Sequence, residues 1–240
     1  MKNIQTKFAI AIPTINRWDL LQETLKKYET DFPNTFIMVV DNGNQVQEIQ
    51  QKNVLLIRNS ENFGVSKSWN QMLIEAFLAN EKYKGINNSS SIIFFDRDIK
   101  DYVWPTFENV LVLNDDIYLG KTEEEIINFI DNNEFSLATT TLTWCAFIIS
   151  RKIFLEVGPF DEEIFPAYFE DNDYAYRLKL EGKPHTCHEF LNPETFINSG
   201  SIAKDPSLNL NFEKNRQYFI RKWGGEPGKE TFSQPFNSHI

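Results

Sequence analysis

Phe8-Ala-Ile-Ala-Ile-Pro-Thr14 is an unbroken apolar run that stops at a Pro-Thr pair. A strand covered on both faces shows no polar alternation, so the run reads as a buried strand of a mostly parallel sheet. A helix should follow to about Thr30, capped by Thr14 or Asn16, with Leu20, Leu21, Leu25 and Tyr28 on its inner face. Residues 35–40 form a second apolar run that ends at Asp41-Asn42-Gly43-Asn44. Residues 54–57 form a third, and residues 66–78 a helix striped with Trp69, Leu73, Ala76 and Phe77. Strand, helix, strand, strand, helix is an α/β order. It predicts a Rossmann-like, mostly parallel central sheet flanked by helices.

Farther along, residues 81–107 break the rhythm and read as an insertion or an added edge element, with a brief apolar run before Asp96-Arg97-Asp98. Residues 110–113 restore it as a buried strand ending at Asn114-Asp115-Asp116. Residues 122–131 predict a helix with a Thr cap and three first-turn glutamates, which the helix dipole favours. Residues 135–142 predict a strand, and residues 150–157 a helix stopped by Gly158-Pro159. Residues 170–181 and 211–223 predict two more helices, the last turning basic at Arg216, Arg221 and Lys222. No repeat or low-complexity linker divides the chain. Residues 1–240 are expected to form one domain, with 205–240 as a C-terminal helical tail.

Composition narrows the functions. The 240 residues carry 24 Lys+Arg against 34 Asp+Glu, a formal charge of −10. Nucleic-acid binders present a basic face, and none is visible, so nucleic acid is not an expected partner. An acidic protein that holds a polyanion must do so locally, through a metal ion, helix N-termini or a few cations. Two cysteines, Cys145 and Cys187, give no disulfide framework and suit a reducing compartment. No apolar run is long enough for a signal-peptide core or a membrane span. The expected location is cytoplasmic, with peripheral membrane contact left open. His185-Thr-Cys-His188 lacks the paired spacing of a zinc module and reads as a strand end with surface histidines.

In an open parallel sheet, ligands sit at the carboxyl ends of the strands. Three predicted strands end there in polar signatures: Pro13-Thr14, Asp41-Asn42-Gly43 and Asn114-Asp115-Asp116. Adjacent carboxylates are hard oxygen ligands suited to Mg²⁺ or Mn²⁺, and Asp115-Asp116 serves equally well as a plain turn. Asp41-Asn42-Gly43 is a strong turn signal, and its carboxylate could also accept from a base or ribose. Glu170-Asp171 reads either as dipole-favoured first-turn acids or as a general base beside a substrate hydroxyl.

The order of these pieces resembles the family 2 glycosyltransferases of the GT-A fold. Residues 8–17 look like the family's opening strand and Pro-Thr turn, and residues 39–43 like its second strand. Asn62-Phe-Gly64 followed by Asn70 is similar to its Asn-x-Gly loop and helix. Residues 111–117 look like its Asp-x-Asp equivalent. Gly158-Pro-Phe-Asp-Glu162 with residues 168–177 resembles its acceptor-side acid motif. The resemblance implies transfer of a sugar from a UDP-, GDP- or TDP-sugar to an acceptor hydroxyl, with inversion and a divalent metal. The acceptor would be a glycan, a lipid-linked sugar or a protein. Asp41 would hold the base, with Pro13, Thr14 and Arg17 in the same nucleotide-sugar pocket. Asn62, Gly64 and Asn70 would shape the donor side, Asn114 and Asp115 would contact the ribose or sugar, and Asp116 would ligate Mn²⁺ or Mg²⁺. Asp171 would be the general base and Glu170 would orient sugar hydroxyls. Trp144 falls where an acceptor-side residue is implied, although a core Trp is the plainer reading.

Two departures qualify the likeness. Asn198 stands where many relatives carry a histidine, which weakens the implied metal shell. Asp96-Arg97-Asp98 is a literal Asp-x-Asp, but the longer strand and following helix favour residues 114–116. The basic tail helix reads as a solvated face, with a contact to the diphosphate or an anionic lipid surface as its sharper alternative. Two other functions remain open. A carbohydrate- or nucleotide-binding module without turnover would keep the pocket. A sugar nucleotidyltransferase would need a Gly-rich loop where Pro13-Thr-Ile-Asn-Arg17 stands.

Overall fold

The structure, a computed structural model, describes residues 7–47, 49, 51, 53–82, 92–94, 106–196 and 206–238. Its centre is the opening apolar run, β1 (Phe8–Thr14), which pairs in parallel with β2 (Phe36–Asp41) on one side and β5 (Asn109–Leu113) on the other. β3 (Val54–Arg58) extends the parallel side, and β4 (Ile92–Phe94) closes it as an antiparallel edge. Beyond β5, β8 (Ala146–Ser150) and β7 (Leu137–Thr139) run antiparallel, and β9 (Thr186–Cys187) pairs in parallel with β7 at the far edge. The strand order is therefore β4-β3-β2-β1-β5-β8-β7-β9. A second small sheet joins β6 (Ile117–Tyr118) to β10 (Thr195–Phe196).

This order explains where a ligand can sit. The chain builds outward from β1 through β2 to β3, then returns to the other side of β1 as β5. Such a reversal opens a crevice at the carboxyl ends of the two central strands.

Both faces of the sheet are covered, as the unalternating β1 requires. Phe8, Ile10 and Ile12 point to the face packed by α1 (Trp18–Asp31) and α3 (Glu123–Asn132). Ala9 and Ala11 point to the other face, under Trp69, Leu73 and Ala76 of α2 (Gly64–Lys82). Alternate residues on a strand face opposite ways, and the small alanines leave room for the large indole. α4 (Arg151–Val157) and α5 (Glu170–Leu180) pack on this same face through Ile153, Phe154, Tyr174 and Leu178.

α6 (Phe212–Trp223) forms a separate cluster in which Phe219 and Trp223 meet Ile164, Phe169 and Tyr176. Its ends are not the solvated basic face expected from sequence. Lys222 is buried, and its Nζ pairs with Asp161 and with Asp173, each at 2.6 Å. The fully buried Asp173 also accepts from Trp223 Nε1 at 2.8 Å and from Arg177 Nε at 3.0 Å. Tyr218 donates its hydroxyl to Asp161 at 2.9 Å. Arg216 pairs with Glu213 and Glu226, while Arg221 stays exposed. Charge clustered on a helix end was legible; its buried acid partners, some 50 residues upstream, were not.

The expected cap of α1 also differs. The N-cap is Arg17, with no side-chain cap bond. Thr14 turns its hydroxyl toward Asp115 instead, and Asn16 takes a left-handed φ of 56°. The Asp96-Arg97-Asp98 alternative, Asn198, His239 and most of the 81–107 segment lie outside the described residues.

Candidate active site

A cavity of about 370 Å³ opens in the crevice between β1 and β5. Pro13 and Thr14 enter from the end of β1, and Asn62 and Gly64 from the start of α2. Asn114, Asp115 and Asp116 follow β5, and Trp144 comes from the turn before β8. Glu170 and Asp171 enter from the first turn of α5. Residues as far apart in sequence as Pro13 and Asp171 thus line one space.

Hydrogen bonds fix this arrangement. Thr14 Oγ1 donates to Asp115 Oδ2 at 2.7 Å, joining the ends of the two central strands. The backbone N–H of Asn114 donates to the carbonyl of Cys145 at 2.9 Å, which ties the acid pair to the Trp144 turn. Asn62 Oδ1 accepts from the Gly64 N–H at 2.9 Å at the start of α2. Gly64 sits at φ +81°, and a Cβ there would lie 2.9 Å from both the Phe165 ring and the Pro166 carbonyl. Only glycine permits that φ and that approach without strain. The approach lets Val65 N–H donate to Pro166 O at 2.8 Å, pinning the segment that leads into Glu170-Asp171. Tyr168 and Phe169 are both left-handed, at φ 74° and 78°. Side chains rarely adopt that region, and its cost is typical of functional turns. Here it swings the start of α5 toward the cavity.

Not every expected residue joins. Asp41 is fully buried and outside the cavity lining: its Oδ1 accepts from Gly43 N–H at 3.0 Å, and its Oδ2 from Gln45 and Val46 at 3.0 and 2.9 Å. The strong turn signal of Asp-Asn-Gly describes it. Asn42, beside it, lines the cavity instead. Asn70 clamps α2 to the Gly158-Pro-Phe turn, bonding both the N–H and the carbonyl of Phe160. Arg17 folds back on Asp19 at 3.3 Å. Trp69, Tyr168 and Phe196 line the cavity without having been expected there. Periodicity marked Trp69 as core, and no local signal separates a core indole from one that also floors a cavity.

The glycosyl transferase family 2 profile matches residues 9–77, which run from β1 through most of α2. No curated protein matches the chain. Its fold matches 124 chains of solved structures. One is a mannosyltransferase from Pyrobaculum calidifontis in complex with GDP-Man and Mn²⁺, at TM-score 0.58 and 13% identity, covering 94% of this chain and 67% of that one. That likeness carries the fold, a mostly parallel central sheet flanked by helices in the GT-A arrangement.

The acids of the cavity are electrostatically poised. Burial pushes the Asp115 carboxyl up to about 7, helped by the neighbouring charge of Asp116 and opposed by the Thr14 hydroxyl. Burial also raises both Glu170 and Asp171. The charge of Asp171 raises Glu170 further, whereas the Asn172 N–H and the charge of His185 hold Asp171 back. Both carboxyls of the pair are thus held above the ordinary carboxylate range at the cavity wall.

A pH signature follows. A carboxyl raised on folding binds more protons in the native state, so its ionisation removes stability as pH rises from about 4.5 toward the raised value. Glu170→Gln removes that charge. Its melting midpoint should exceed that of the parent at pH 8 and match it at pH 5, each kcal/mol appearing as about 2–4 °C. Equal differences at the two pH values would show that Glu170 is not held neutral.

For a divalent ion, the donor chemistry of Asp115-Asp116 fits. Among the described residues no group of three or more His, Cys, Asp or Glu could hold a metal. Adjacent carboxylates are hard oxygen donors of the kind Mg²⁺ and Mn²⁺ prefer. Also among the described residues, no helix is long and apolar enough to cross a membrane.

Proposed function

We propose that this protein is a glycosyltransferase that moves a sugar from a nucleoside diphosphate sugar to an acceptor hydroxyl with inversion, in the cavity between β1 and β5. The observation that carries the reading is the convergence of Asp115-Asp116 and Glu170-Asp171 on one cavity beside the Pro13-Thr14 turn. One acid pair suits the charged leaving group and the other the incoming hydroxyl. The Pyrobaculum enzyme, with its GDP-Man and Mn²⁺, is consistent with a donor of this class.

The nucleotide lies along Pro13, Thr14 and Asn42. Asp41 acts through the turn it braces, presenting Asn42, and does not touch the base. Asn62, Gly64 and Asn114 border the donor, and Asp116, with Asp115 beside it, would hold Mg²⁺ or Mn²⁺. When bound, that ion neutralises charge on the departing diphosphate. Asp171 accepts the proton of the acceptor hydroxyl. The freed oxygen forms a bond to the anomeric carbon from the face opposite the diphosphate, and the carbon–oxygen bond to the diphosphate breaks with its electron pair leaving on that group. A single displacement without a covalent intermediate inverts the centre. Trp144 offers an apolar face to the acceptor ring.

Melting the protein with UDP, GDP, TDP, CDP and their sugar conjugates, each with and without Mn²⁺, tests the reading. A nucleotide at ~100 times its dissociation constant stabilises the fold by roughly 2.7 kcal/mol. One base should stand out, with a larger shift in Mn²⁺, and Asp116→Asn should erase the Mn²⁺ increment. A panel without any shift would contradict the donor assignment.

A further inference from the structure

Among the described residues, two of the buried polar atoms in the cavity wall find no hydrogen-bond partner. Trp69 Nε1 is one and Glu170 Oε2 is the other. Both residues line the cavity, at 3% and 8% exposure. The ring of Trp69 is held firmly, edge-on to Phe147 at 5.0 Å and to Phe160 at 4.9 Å. Trp223 shows the contrast: equally buried, it donates its Nε1 to Asp173 at 2.8 Å. A buried donor left unpaired costs about 1–3 kcal/mol, so an orphan on a cavity wall marks where a ligand atom belongs.

The pair restricts that ligand's chemistry. An indole N–H only donates. A carboxylate only accepts. A phosphate would satisfy the indole but meet repulsion from Asp171, and an ammonium would leave the indole N–H unpaired. A hydroxyl both accepts and donates. We infer that Trp69 is a specificity-determining residue whose indole N–H, together with the Glu170 carboxyl, holds the hydroxyls of a sugar ring on the floor of the cavity. The inference rests on the donor reading above. The ring belongs either to the sugar being transferred or to the acceptor.

Trp69→Phe keeps an aromatic ring against Phe147 and Phe160 and removes the N–H together with part of the indole's bulk. Calorimetry in Mn²⁺ would compare UDP with UDP-glucose and UDP-N-acetylglucosamine, and GDP with GDP-mannose. If the ring is the donor's, the variant binds the bare diphosphates within about twofold of the parent. It loses about tenfold of the extra affinity that the sugar confers, as one buried hydrogen bond implies. If the ring is the acceptor's, the donor increments survive. The same loss then appears for methyl mannoside or methyl glucoside titrated into the nucleotide-saturated protein. Should the variant fail to fold, the ¹⁵N indole resonance of Trp69 in the parent protein gives the answer: it moves with a sugar-bearing ligand and not with the bare diphosphate. An N–H that meets only water leaves every increment and the resonance unchanged. That result, or a parent protein in which no sugar adds affinity, overturns the inference and leaves nucleotide binding standing. Absence of nucleotide binding altogether overturns the donor reading itself.

Discussion

Asp171→Asn should reduce turnover by about 10²–10⁴-fold, the usual contribution of a positioned general base. Binding of the nucleotide sugar should persist, because the amide keeps the shape and most hydrogen-bonding capacity of the carboxylate. The expectation rests on three features of α5. Its start is swung into the cavity by two left-handed residues, Tyr168 and Phe169. Asp171 Oδ1 is held by the Asn172 N–H at 2.7 Å. Burial raises the Glu170 carboxyl alongside, and the charge of Asp171 raises it further. The measurement is release of nucleoside diphosphate in single-turnover mode, with binding followed separately. Retained turnover would move the base elsewhere. A parent protein that binds donor and never turns over would mark a binding module.

Lys222→Met should produce the largest loss of stability. Lys222 is nearly inaccessible and stands between Asp161 and the fully buried Asp173. Removing one member of a buried charge cluster leaves the others uncompensated, at a cost of about 3–5 kcal/mol. At about 2–4 °C per kcal/mol, the midpoint falls by roughly 6–20 °C. The pH dependence has a definite sign. Burial raises the Asp161 carboxyl, but Lys222 outweighs it and holds that carboxyl below the ordinary range. Its contribution is present above the unfolded value and lost as pH falls through the folded one. Lys222→Met should therefore lose less at low pH than at neutrality. A midpoint within 2 °C of the parent's, flagged against the ~6 °C lower bound, would show that the cluster does not anchor α6.

Much of the fold was legible because its cause is local. The apolar runs of β1, β2 and β5 lack alternation since both faces are covered, and each ends at a polar turn that stops the strand. Thr122 caps its helix as the sequence suggests, and Glu125 completes a capping box with it. What stayed hidden depends on distant partners. The antiparallel strand β8 sits in a Thr-rich stretch with no turn signal of its own, and pairing with β5 defines it. Asp41 and Asn70 carry plausible binding chemistry, but the backbone amides of a turn and the Gly158-Pro-Phe segment claim them first. Trp69 shows the converse: a core position by periodicity whose one polar atom finds no partner in the core.

The most direct measurement is a crystal structure with Mn²⁺ and whichever nucleoside diphosphate raises the melting midpoint. The diphosphate is expected beside Asp115-Asp116, with the nucleoside running past Thr14 toward Asn42 and the leaving oxygen facing Glu170-Asp171. A nucleotide bound outside the crevice between β1 and β5, or seated with its phosphates away from Asp116, would contradict the account.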